Sequence, residues 1–124
     1  MRNAWENIEF DNDIVNSRIE QRRYVLIDFL NLQNKFLKDK SNSILELKFT
    51  NVSNTSFKVY VANSIQLEFI CMIDILDSKT TEYEFFNSKF EQTNCKNLDL
   101  LQEEFFEVIS SIGAKIIGLY NQVK

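Results

Sequence analysis

The spacing of apolar residues changes twice along this chain, and that change constrains the fold more than any motif does. From about Asp11 to Asp39, Val15, Ile19, Leu26, Phe29, Leu30 and Leu37 share one sector of a helical wheel, with Asn16, Glu20, Asn31, Lys35 and Lys38 opposite. The spacing predicts an amphipathic helix, either continuous or as a short helix followed by a longer one from about Glu20. Ser41-Asn42-Ser43 supplies turn chemistry, and beyond it the period drops to two. Leu45, Leu47 and Phe49 alternate with Glu46, Lys48 and Thr50, and Phe57, Val59 and Val61 alternate with Lys58 and Tyr60. Ile65, Leu67 and Phe69 alternate with Gln66 and Glu68, and a shorter run covers Thr81 to Phe86. The connections at 51–56, 63–64 and 77–80 are too short for helical crossovers, so these strands form an antiparallel meander. At Asn97, an N-cap with Asp99 in the first turn, the helical period returns. It runs through Leu98, Leu101, Phe105, Val108, Ile109, Ile112, Ile116, Leu119 and Val123, and predicts one helix of about seven turns. The expected architecture is a single α+β domain over residues 1–124. An N-terminal helix, a four-stranded antiparallel meander sheet and a long C-terminal helix follow in order, with both helices on one sheet face.

What the composition omits narrows the chemistry. The 124 residues include no His, which removes Ser-His-Asp, Cys-His and two-His zinc sites together. The two glycines, Gly113 and Gly118, both fall in the C-terminal helical pattern, so no phosphate-cradling loop exists and no cofactor is expected. Cys71 and Cys95 are too few for a disulfide framework or, without His, a metal site. Cys71 shares strand phase with Leu67, Phe69, Ile73 and Ile75 and reads as a buried small hydrophobe. Cys95 precedes Lys96 and the helix start, surroundings that lower a thiol pKa, and is either reactive or an incidental loop residue. Asp11-Asn12-Asp13 fails as a calcium loop because Val15 replaces the next ligand and the required Gly is missing. No apolar run reaches the ~20 residues of a membrane span, and MRNAWENIEF is no signal peptide, so a cytoplasmic location is expected.

Charge and phase then nominate surfaces. Residues 1–62 carry nine Lys/Arg against eight Asp/Glu, and residues 63–124 carry five against ten, so the C-terminal half is acidic. Such a chain is a poor partner for nucleic acid and a better one for a basic protein. Glu82 and Glu84 project from one strand face at about 7 Å spacing, and Glu103, Glu104 and Glu107 sit on the last helix. Phe86, Phe106 and Tyr120 stand beside them as candidate apolar anchors. On the sheet face away from the helices, polar alternation fails at Tyr60, Ile70, Met72, Leu76 and Phe86. That half-apolar face either forms a dimer or is covered by an N-terminal segment bearing Trp5, Ile8 and Phe10. Ser110, Ala114 and Gly118 recur every four residues on the last helix, leaving a bare strip that admits another backbone or a neighbouring element of the same chain. Arg22 falls inside the apolar sector of the first helix and must either snorkel or meet a carboxylate.

By elimination and charge, the expected function is a small, acidic, non-catalytic inhibitor of the immunity or anti-defence kind that bacteria and phages encode. It would block a basic, nucleic-acid-handling protein, with carboxylates standing in for phosphates. The partner-binding residues under this reading are Glu82, Glu84, Phe86, Glu103, Glu104, Phe106, Glu107 and Tyr120. The alternative is a homodimeric scaffold or secretion-chaperone-like module that holds an extended client, paired through Tyr60, Ile70, Met72, Leu76 and Phe86. A carboxylate- or cysteine-based hydrolase is a third reading.

Overall fold

The structure, a computed structural model, describes residues 3–6 and 10–124. Helix α1 (Asn12–Lys40) is unbroken, so the first of the two predicted arrangements holds. Asp11 caps it by accepting from the Asp13 and Ile14 N–H groups, and Lys38 and Lys40 occupy its last turn, where cations favour the helix dipole. Ser41, a buried polar side chain, ends it. Its hydroxyl donates to the Leu37 carbonyl at 2.8 Å and accepts from the Leu45 N–H at 3.0 Å. Asn42 and Ser43 then turn the chain through the left-handed region, at φ 52° and 64°.

The strands are β1 (Glu46–Ser53), β2 (Ser56–Ala62), β3 (Leu67–Ile75), β4 (Tyr83–Phe86) and β5 (Gln92–Cys95). Among the described residues the sheet has five antiparallel strands in sequence order, so the meander is as expected but the count of four is corrected to five. The strand that the apolar period did not reveal is Gln-Thr-Asn-Cys, a polar edge without alternation, held by its ladder with β4 and by Cys95, which is buried in the core beneath α2. The second correction concerns the last helix, which divides into α2 (Leu98–Ser111) and α3 (Gly113–Val123). Asn97 caps α2 through the Leu100 N–H, as its residue type foretold. The break falls where the Ser111 hydroxyl bonds back to the Val108 carbonyl at 2.7 Å just before Gly113, the Ser/Gly combination that bends helices.

The inner sheet face and both helical segments share one core, with Phe57, Val59, Ile73, Tyr83 and Phe85 from the sheet against Leu26, Leu30, Leu101 and Phe105. Phe29 of α1 meets Phe105 of α2 edge-on at 5.4 Å, so the helices cover the same face. Three arginines on α1 tie down the loops at one end of the sheet. Arg18 bonds Asp77, Arg23 bonds the Asn54 carbonyl at 2.6 Å while stacking on Phe57, and Arg22 bonds the Leu76 carbonyl at 2.6 Å. Arg22 also approaches Glu82 at 3.6 Å, so the carboxylate outcome prevails over snorkelling.

A third correction follows from a bulge. Val59 faces Cys71, but the next pair is Tyr60 with Phe69, leaving Ile70 as an extra residue in β3. The extra residue reverses the phase before it. Phe69 therefore pairs with the outward Tyr60 and Leu67 with Ala62, whereas Ile70 is fully buried and leaves the proposed dimer face. Cys71, Ile73 and Ile75 keep the inward phase expected of them.

Candidate functional site

The eight residues nominated for partner binding do not form one surface. Glu82 is drawn to Arg22 at the end of the sheet. Glu84 and Phe86 lie on the outer sheet face, Glu84 opposite Asp74 and Asn94, Phe86 opposite Met72 and Gln92. Tyr120 packs half-buried against the core with the Lys124 ammonium 5.6 Å from its ring centre. Only Glu103, Glu104, Phe106 and Glu107 stay together, on α2, and they look in three directions around the helix axis.

Glu104 and Glu107 line a cleft of about 430 Å³ between the helices and the β4–β5 turn, with Glu91, Lys89 and Lys115 around it and Phe85, Val108 and Ile112 at its floor. Partial burial, then Glu107 and Glu103, push the Glu104 carboxyl above its ordinary value.

On the other side of α2 an apolar groove of about 260 Å³ runs between the helices. Phe36 and Leu37 of α1 form one bank, Ile109 of α2 and Ile116 of α3 the other, and Leu47, Val61 and Phe105 the floor. The surface of this helical layer is unusually apolar: Phe36, which lines the groove, is 53 % exposed, and outside the groove Phe106 is 48 % exposed and Leu32 stands one turn before Phe36. Phe106 stays on this side because its ring contacts Phe29 at 6.4 Å. Asp99 and Glu103 precede Phe106 by seven and three positions, so they stand on the same ridge of α2, and Asp28 precedes Leu32 by one turn on α1. Lys35 and Lys40 lie toward the far end, Lys40 within the groove wall. Phe36 and Leu32 were not nominated from sequence. The signal was the 4-3-4 spacing of Val25, Phe29, Leu32 and Phe36, a second apolar ridge beside the core-facing one.

Neither cysteine sits in reactive surroundings. The expectation that Lys96 and the helix start lower the Cys95 pKa is corrected: burial first, then Glu104, push its thiol up to about 11. Burial alone raises Cys71 further. The bare strip of Ser110, Ala114 and Gly118 is exposed with open space over Gly118, so among the described residues no neighbouring element passes over it. Trp5 and Phe10 are 68 % and 79 % exposed and so do not cover the outer sheet face; Ile8 lies outside the described residues. Among the described residues no helix is long and apolar enough to cross a membrane. Comparison with protein-family models, curated proteins and solved structures found no match to the chain.

Proposed function

We propose that the chain is a non-catalytic inhibitor that binds a basic, nucleic-acid-handling protein through its helical layer, acting in the cytoplasm. The observation that carries this reading is the groove between α1 and the C-terminal helices, with Phe36 exposed on its bank, Phe106 exposed against Phe29 outside it, and Asp28, Asp99 and Glu103 at helical spacing from Leu32 and Phe106. Rigid aromatic anchors in an apolar recess are what hot spots are made of, and bordering carboxylates set encounter rate and partner choice. A basic amphipathic segment of the target meets both requirements, its apolar ridge in the groove and its Lys or Arg flanks toward the acids. The adjoining cleft with Glu104 and Glu107 offers a further seat for a cation.

The test begins with capture of targets from the native host at low salt, followed by assay of each captured protein's own activity at stoichiometric inhibitor. Glu103→Lys with Glu107→Lys is expected to keep a native circular dichroism spectrum, since both side chains are exposed, while association slows and its salt dependence flattens. Phe106→Ser is expected to accelerate dissociation roughly tenfold or more. Wild-type kinetics in both variants, or targets fully active when saturated, would overturn the reading. The alternative, a homodimeric scaffold or secretion-chaperone-like module, draws on the opposite face of the molecule.

A further inference from the structure

We propose that the outer sheet face is a homodimer interface, self-complementary about a twofold axis that runs along the strands between β2 and β3. The face carries an apolar centre where water normally meets alternating polar residues. Tyr60 and Phe69 pair across β2 and β3 with ring centres 5.8 Å apart, and Met72 pairs with Phe86 across β3 and β4. Phe90, from the β4–β5 turn, stacks on Phe69 at 5.4 Å while remaining 60 % exposed. Its backbone is left-handed, at φ 62°, a conformation that costs a bulky residue energy and here lays an aromatic ring at the border of the face.

The charges around this centre choose the occupant. Lys58 stands on β2 with no ion-pair partner among the described residues, beside Met72. On β3 and β4, Asp74 and Glu84 face each other directly, a like-charged cross-strand pair that is unfavourable by itself. Asp74 accepts from the Ser56 hydroxyl at 2.5 Å, and neither carboxylate has a cation within ion-pair distance among the described residues. One half of the face is thus short of an anion and the other short of a cation. An axis between β2 and β3 exchanges those strands. Tyr60 then lies against the second copy's Phe69, and Lys58 against its Met72, one pleat (about 7 Å) from its Asp74. Every such contact is made twice, which is what closes a dimer and stops a chain of subunits. Under this axis four strands overlap, β1 on β4 and β2 on β3; at ~4.8 Å apart and about four pleat rows they span roughly 19 by 25 Å, so the pair buries on the order of 1,000 Å² in total. That is the size of weak, reversible pairs rather than permanent ones, so association is expected only at high protein concentration.

Sedimentation equilibrium from ~5 to ~500 µM protein tests the proposal. The wild type is expected to pass from monomer to dimer, and Phe69→Ser to weaken the dimer at least tenfold. Lys58→Glu and Asp74→Lys are each expected to remain monomeric alone, because each places like charges across the axis. An equimolar mixture of the two regains a dimer, since both cross-axis pairs are then opposite in sign. Circular dichroism checks each fold, and Lys58→Glu with Phe69→Ser still decides the matter if Asp74→Lys misfolds. A wild type monomeric at 500 µM, or a dimer indifferent to Lys58 and Phe69, would overturn the proposal. A dimer lost instead with Phe106→Ser would place self-association on the helical layer and overturn it equally. Because target binding is assigned to the opposite layer, Phe69→Ser should leave target capture unchanged, so the two assignments fail separately.

Discussion

Glu104 is held where a carboxylate is poorly placed. Burial, then Glu107 and Glu103, raise its pKa above the unfolded value, so the folded state holds the proton more tightly than the unfolded one does. Stability from this group is therefore full below the ordinary carboxylate range and declines as pH rises through the raised value. Glu104→Gln is expected to stabilise the protein at pH 7 by about 0.2–0.5 kcal/mol, the size of a like-charge pair one turn apart, with the gain vanishing near pH 3. Urea denaturation at the two pH values checks it. Tyr83 behaves in the same direction at alkaline pH. Burial first, then Glu82, push its phenol up to about 12, Arg22 opposing, and its hydroxyl donates to the Arg22 carbonyl at 3.0 Å. The folded protein is expected to lose stability as pH climbs from about 10 toward 12, as the unfolded chain loses its phenolic proton first. Tyr83→Phe should cost about 1 kcal/mol at pH 7 and flatten that alkaline decline, with tyrosinate absorbance reporting the titration directly.

At the scale of elements, the departures from expectation each trace to a few residues. Ser111 and Gly113 divide the C-terminal helix, although the 3.6 period continues through Ile112 and Ile116 and alone predicts no break. The run Phe69-Ile70-Cys71-Met72-Ile73 is apolar on both phases, and a bulge at Ile70 lets such a run serve both faces. That signal was present in the sequence, but alternation read outward from either end gives a different phase, and only pairing with β2 chooses between them. Gly118 is different: it lies mid-helix in α3 with open space around it, so neither a turn nor a close approach requires glycine. Gly118→Ala is expected to raise stability by roughly 0.5–1 kcal/mol, seen as a higher urea midpoint with unchanged slope.

For the whole molecule, the apolar period and the capping residues determined the class, the element order and the helical and strand content of most of the core. They could do so because each is a local property: a helix or strand must present its apolar positions to something, and a cap must meet the first free N–H groups. Absence was equally legible, since chemistry that requires His or a glycine loop cannot be assembled by any fold of this chain. What the sequence left open is how surfaces combine. Glu82, Glu84, Glu103 and Glu107 look alike in one dimension, yet Arg22 claims the first, Asp74 faces the second, and only the last two share a helix flank. The groove walled by Phe36 and Ile109 joins residues more than seventy positions apart, and the outer face pairs Tyr60 with Phe69 across a bulged ladder. Those juxtapositions depend on strand register, helix placement and one inserted residue. They are decided by packing between elements, because local spacing specifies which side of an element is apolar but not which neighbour it meets.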